Sequence, residues 1–177
     1  GRLDRAREHL TAAVEGWMRI DEVEQSSHPM CELLRVLGLQ RSSNLEEWMP
    51  LAEEVHAAQQ PNNRVFVALA IGQSLTLAGR AHDAQPWLDN ARTTNPLVAA
   101  TLDRWRWRAG QSLAPVPARA PYRELAQLDR AIASQSGVDQ ALTALEQVAS
   151  PSRLAQVESW RPRGVPRAVH IADAWPY

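Results

Sequence analysis

From Arg104 to Arg108 the chain alternates guanidinium and indole, Arg104-Trp105-Arg106-Trp107-Arg108, within a helical stretch. Successive helical residues point about 100° apart, so Trp105 and Trp107 cannot share a face, and at most one indole lies fully in a core. The other belongs at an interface or in solvent, where an indole is the type of side chain that dominates a protein contact. The alternative is that both indoles bury against neighbouring helices while the arginines are merely solvated.

The remaining reactive side chains do not assemble into a site on paper. Glu53 and His56 have the Glu-x-x-His spacing of a helical di-iron ligand pair, but such bundles need a second copy and two further glutamates. Their expected place is an exposed polar face. His28 and Cys31 stand three apart without the further cysteines or histidines that a tetrahedral metal shell requires, so Cys31 reads as a buried thiol beside a helix start. His170 and Asp173 have the spacing of a base and its orienting acid, with Ser150 or Ser152 as conceivable nucleophiles, yet no elbow motif presents either serine. The expectation is a protein with no catalytic set, no metal and no cofactor.

Composition removes further chemistries. All 19 basic side chains are arginine, and the absence of lysine excludes P-loop nucleotide hydrolysis, kinase chemistry and Schiff-base catalysis within this segment. Residues 1–63 hold eleven acids against six arginines (net −5) and residues 64–110 three against six (net +3). With −1 overall there is no sustained cationic field for a phosphate backbone, so nucleic acid is not an expected partner. The longest apolar run, Val65 to Ile71, is far short of the ~20 residues that span a bilayer. One cysteine forms no intramolecular bridge and does not decide between cytoplasm and periplasm. Opening on Gly1-Arg2 without an initiator methionine, in a helical pattern, the chain reads as a piece of something longer.

The elements that must position these residues are helices. Leu3, Ala6, Leu10, Ala13, Val14 and Trp17 recur at three- and four-residue steps, as do Val65, Leu69, Gly72 and Leu75, and no alternating strand is evident. The pattern predicts helices over 2–24, 30–40, 44–59, 64–78, 81–93, 97–109, 122–135, 138–149 and 151–160. Asn44 is a candidate cap, Gly79 a candidate helix stop, and Pro61, Pro96 and Pro151 mark boundaries.

The chain also repeats itself. Gly1-Arg2-Leu3-Asp4-Arg5-Ala6 with Leu10 and Ala13 returns as Gly79-Arg80-Ala81-His82-Asp83-Ala84 with Leu88 and Ala91, each offset by 78. Gly38 and Ala57 return as Gly72 and Ala91, offset by 34, the period of a helix-turn-helix array. Two such periods leave ten extra residues, most easily placed around Arg19 to Ser27.

From Val65 to Val98 the chain resembles a tetratricopeptide repeat: Gly72 small in the first helix, Gly79 at the turn, Ala84 and Ala91 small in the second with bulky Leu88 between, and Pro96 closing the unit. Residues 31–64 keep Leu37, Gly38, Ala57 and Pro61 but carry Pro50, and the third unit carries Arg106 where glycine is usual. The resemblance covers about 1–110. It implies an all-α, right-handed α-α superhelix, with small residues where helix axes approach to ~8–10 Å. It also implies a concave groove lined by Glu32, Arg35, Leu39 and Ser42, then Phe66, Leu69, Gln73 and Thr76, then Trp107 with Asp103 nearby, Trp105 being packed inside. Such a mixture suits a peptide or protein partner.

Beyond the repeats (1–110) come a proline-spaced linker (111–121), a helical hairpin hinged at Ser136-Gly137 with capping helices (122–160), and a segment (161–177) whose prolines predict an extended tail. That tail could lie in the groove of its own solenoid. The function expected is a non-enzymatic protein or peptide interaction module, with self-association into a homo-oligomer left open. The alternative is a sensor or regulatory segment of a larger signalling or transcription-regulatory protein.

Overall fold

Three- and four-residue apolar spacing should give helices, and the computed structural model, which describes residues 1–110 and 119–175, contains ten α-helices and no strand among the described residues. They are α1 (Arg2–Arg19), α2 (Ser27–Leu39), α3 (Leu45–Ala58), α4 (Pro61–Leu77), α5 (Ala81–Asn90), α6 (Pro96–Arg108), α7 (Tyr122–Ser134), α8 (Val138–Val148), α9 (Pro151–Glu158) and α10 (Arg167–Ala174). The protein is all-α.

Helix ends follow backbone chemistry. Gly79 stops α4 as expected, with φ +80°, and the next N–H, of Arg80, returns to the Leu75 carbonyl at 2.8 Å. The same closure recurs at non-glycine residues: Arg41 has φ +47°, followed by Ser42 N–H to Leu37 O at 3.0 Å. Asp21 has φ +62°, followed by Glu22 N–H to Trp17 O at 3.0 Å. The first helix therefore ends at Arg19 rather than near 24, and the residues beyond it form this turn and a 3-10 segment, Glu24–Ser26. This is where the ten extra residues of the repeat were expected. Asn44 precedes α3 without a side-chain cap bond. Asn95 caps α6, its side-chain oxygen accepting from Leu97 and Val98.

Helix α4 is the hub, packed against α2, α3, α5 and α6. From Val67 to Leu75 it is buried on every side, so it carries no polar face. Such encirclement requires close approach, and glycines supply it. A Cβ on Gly38 would lie 2.8 Å from the Cα of Ser74, joining α2 to α4, and a Cβ on Gly72 would lie 2.4 Å from Leu88 Cδ2, joining α4 to α5. Ala84, Leu88 and Ala91 are buried in the same core. At the next 34-residue step Arg106 replaces glycine, and its guanidinium donates to the Leu88 carbonyl at 3.0 and 2.8 Å and to that of Ala91 at 3.0 Å. It thereby satisfies carbonyls that the end of α5 would leave unpaired.

Helices α7 to α10 form a second apolar cluster around Leu125, Leu128, Leu145, Val157 and Ile171. Gly137, at φ +68°, turns α7 into α8. Most of the proline-spaced stretch, 111–118, lies outside the described residues, as do 176–177. The expectation of an extended tail over 161–177 is overturned within its described residues, 161–175. Between Pro166 and Pro176 the sequence has no proline, and Arg167–Ala174 form α10, with Pro166 at its N-cap. Ala168, His170, Ile171 and Ala172 are buried. His170 Nε2–H donates to the Val157 carbonyl at 2.8 Å, and Arg167 pairs with Glu146 of α8 and Glu158 of α9.

Candidate functional site

A cavity of about 630 Å³ lies between the face of α1, α2 and α4 and the C-terminal helices. One wall comes from Leu3, Ala6 and Leu10 on α1, Glu32, Arg35, Val36 and Leu39 on α2, and Gln73 and Leu77 on α4. The opposite wall comes from Arg153 and Gln156 on α9, Trp160, and Asp173, Ala174 and Trp175 at the end of α10. Trp105 of α6 closes one side. Arg2 at the start of α1 donates to the Ser159 carbonyl at 3.2 Å, linking the first helix to the residue that follows α9.

Helical spacing explains the first wall. Glu32, Arg35, Val36 and Leu39 follow at steps of three, one and three and share one face of α2, while Gln73 and Leu77 are one turn apart on α4. Glu32 accepts from Arg35 Nη1 at 2.8 Å, and Gln73 Oε1 accepts from Arg35 Nε at 3.1 Å, which fixes the guanidinium between the two helices. A planar guanidinium held on two edges presents its charge to the cavity in a set orientation.

The second wall is fastened by the arginine-tryptophan run. Arg104 donates to Asp129 of α7 with both Nε and Nη2 and also to the Ala172 carbonyl of α10. Arg108 donates to the same carbonyl at 3.3 Å, pairs with Asp173, and sits 4.4 Å over the ring of Trp105. These arginines are therefore not merely solvated: Arg104 is buried and bolts α6 to α7 and α10.

Of the residues expected in the groove, Glu32, Arg35, Leu39 and Gln73 converge on the cavity. Leu69 is fully buried and offers no surface, being taken up by the core around α4. Phe66 and Thr76 are half-buried away from the cavity, the Thr76 hydroxyl donating back to the Gly72 carbonyl at 2.7 Å. Ser42 sits in the turn after α2, where its hydroxyl accepts from Asn44 N–H at 3.3 Å. Asp103 pairs with Arg106 at 3.0 Å. Trp105 is buried as expected, while Trp107 is half-buried with Arg130 5.7 Å from its ring centre. Sequence reasoning missed Trp160, Asp173, Ala174 and Trp175 as cavity residues. Only Trp175 carried a signal, as an aromatic of the segment expected to reach the groove.

The other candidates fall elsewhere. Glu53 is exposed, and His56 packs edge-on against Trp87 with ring centres 5.1 Å apart. Partial burial, and then the charge of Arg64, lowers the His56 pKa. Burial pushes the Cys31 thiol up to about 12. His170 is turned to Val157, Asp173 to Arg108, and the Ser150 and Ser152 hydroxyls meet each other at 2.8 Å. No group of three or more His, Cys, Asp or Glu able to hold a metal occurs among the described residues, and none of their helices is long and apolar enough to cross a membrane.

No family model matches the chain, and no curated protein or solved structure is significantly similar to it.

Proposed function

We propose that this chain is a non-enzymatic interaction module, a right-handed superhelix of tetratricopeptide-like hairpins whose α2 and α4 face receives a segment of protein. The 34-residue spacing supports the repeat, since Gly38 and Gly72 both stand at close helix approaches, Gly38 against Ser74 of α4 and Gly72 against Leu88 of α5. The observation that carries the functional reading is the cavity on that face. Trp160, Asp173, Ala174 and Trp175 share one cavity with Glu32, Arg35, Leu39 and Gln73. A hollow with an apolar wall and a few fixed polar groups on the α2 and α4 face is suited to a short amphipathic segment in trans, through helix-in-groove recognition. Trp107, half-buried beside Arg130 and outside the cavity lining, is a residue of the type that anchors a partner.

The test is a peptide-array or pull-down screen with the whole chain. A partner is expected whose binding falls at least tenfold with Arg35→Glu or Trp107→Ala while melting of the free variants stays cooperative. A screen returning no partner sensitive to either change removes the reading.

The cavity of about 630 Å³ favours a second reading, a sensor or regulatory segment of a larger signalling or transcription-regulatory protein. A nucleotide-binding or helix-turn-helix domain in the same natural polypeptide would decide for it.

A further inference from the structure

We propose that a second copy of this chain docks on α1, helix against antiparallel helix, so that Trp17 and Ile20 of each copy enter the other's cavity between α1, α2, α4 and the C-terminal helices. The proposal rests on the reading of that cavity as a protein-binding site and names its occupant.

The internal repeat shows what this face of α1 needs. Ala84, Leu88 and Ala91, on and just after α5, are the counterparts of Ala6, Leu10 and Ala13 at the 78-residue offset. All three are buried, and Leu88 packs on α4 where Gly72 leaves it room. On α1 the same face is open: Ala6 and Leu10 are half-buried in the cavity lining, and Ala13 is exposed. Trp17 and Ile20 continue the face toward the end of the helix and are 39% and 61% exposed. One end of α1 thus holds large apolar side chains in water, and the other end borders a cavity with an apolar wall, a pairing that marks a contact site.

Spacing sets the orientation. Leu3, Ala6, Leu10, Ala13, Trp17 and Ile20 follow at alternating steps of three and four, the seam of a helix pair. Large and small side chains alternate along it as far as Trp17. A parallel pair would set large against large and small against small. The antiparallel pair sets Leu10 on the partner's Ala13 and Trp17 on the partner's Ala6, in the way Leu88 is set on Gly72, and brings Ile20 to the partner's Leu3.

Charge agrees with that choice. Residues 2–10 hold three arginines against two acids (net +1), and residues 15–24 hold one arginine against four acids (net −3). Antiparallel pairing places each basic half beside an acidic one, whereas parallel pairing sets like beside like. The contact is made twice across a two-fold axis, so it closes at two copies. A helix of 18 residues is roughly 27 Å long, which puts the buried area at the small end of specific interfaces and makes the dimer weak.

Sedimentation equilibrium of the 177-residue protein from about 1 to about 300 µM should show a reversible monomer–dimer equilibrium with a micromolar Kd that salt weakens. Trp17→Ala with Ile20→Ser removes the inserted side chains from an exposed surface, and Ala6→Phe fills the receiving cavity. Each variant should associate at least tenfold more weakly while its thermal melt stays cooperative. Mixing the two should restore association between them, because the intact Trp17 of one meets the open cavity of the other, a contact neither variant makes with itself. A wild-type protein that stays monomeric at about 300 µM overturns the proposal. So does a dimer indifferent to both changes, or a mixture that associates no better than either variant alone. A monomer that still captures a peptide sensitive to Arg35→Glu ends this proposal and leaves the interaction module standing.

Discussion

Asp129 on α7 accepts two hydrogen bonds from the guanidinium of Arg104 on α6, and both side chains are 2% exposed. A buried pair of this kind adds little net stability over an apolar pair, but removing one partner strands a charge. Asp129→Asn should therefore lower unfolding stability by about 3–5 kcal/mol. The double change Arg104→Met with Asp129→Leu should cost less than the single one. Urea denaturation with both variants decides; a single variant within 1 kcal/mol of wild type would show that the pair does not hold α6 to α7.

Close helix contact at glycine makes a graded prediction. Gly72→Ala pushes a methyl into Leu88, a side chain that can be shortened, whereas Gly38→Ala pushes one into the Ser74 backbone. Overpacking costs roughly 1–3 kcal/mol, against a gain in helix propensity of about 1 kcal/mol. Leu88→Ala added to Gly72→Ala should cost less than the sum of the two single changes, while Ser74→Ala should not rescue Gly38→Ala. Thermal melts of the four single variants and two doubles measure the coupling.

Cys31 makes alkaline stability a readout of burial. Its thiol is held at about 12 in the fold, mainly because burial penalises the thiolate. Unfolded cysteine ionises near ~8.5. The raised folded value means its contribution is fully present below about pH 8.5 and is lost as pH rises toward 12, by up to about 1.4 kcal/mol per pH unit in between. Tyr122, whose pKa is also raised by burial, adds to the same decline. Cys31→Ala should flatten urea stability between roughly pH 9 and 11. The native thiol should also resist iodoacetamide at pH 8 until denaturant is added; rapid labelling of the native protein would contradict its burial.

The docked C-terminal helix predicts a cost for loosening it. Ile171 is fully buried, and truncation to alanine should cost roughly 2–5 kcal/mol. Deleting 161–177 should lower the melting midpoint more than Ile171→Ala does. A midpoint unchanged by the deletion would mean that α10 does not pack on the rest of the chain.

Much of this was legible in one dimension because its causes are local. Three- and four-residue apolar spacing, the 34-residue return of glycine and the turn at Gly79 set the helices, most of their ends, and the close contacts at Gly38 and Gly72. The stop at Arg41 was not legible, since a left-handed residue other than glycine carries no compositional mark. Glu32, Arg35, Leu39 and Gln73 followed from the resemblance to the repeat family, while Leu69, on the same expected face, is consumed by the encirclement of α4.

The sequence by itself determined an all-helical protein, its hinge at Gly137 and the impossibility of sharing one face between Trp105 and Trp107. Only the tertiary structure decided that Arg104 seeks Asp129, that Ala172 offers its carbonyl to two arginines, and that Trp160 and Trp175 close a cavity against α2 and α4. Those partners lie tens of residues apart in the chain. No local periodicity encodes which arginine meets which carboxylate, because that choice is made by the burial that brings helix faces together.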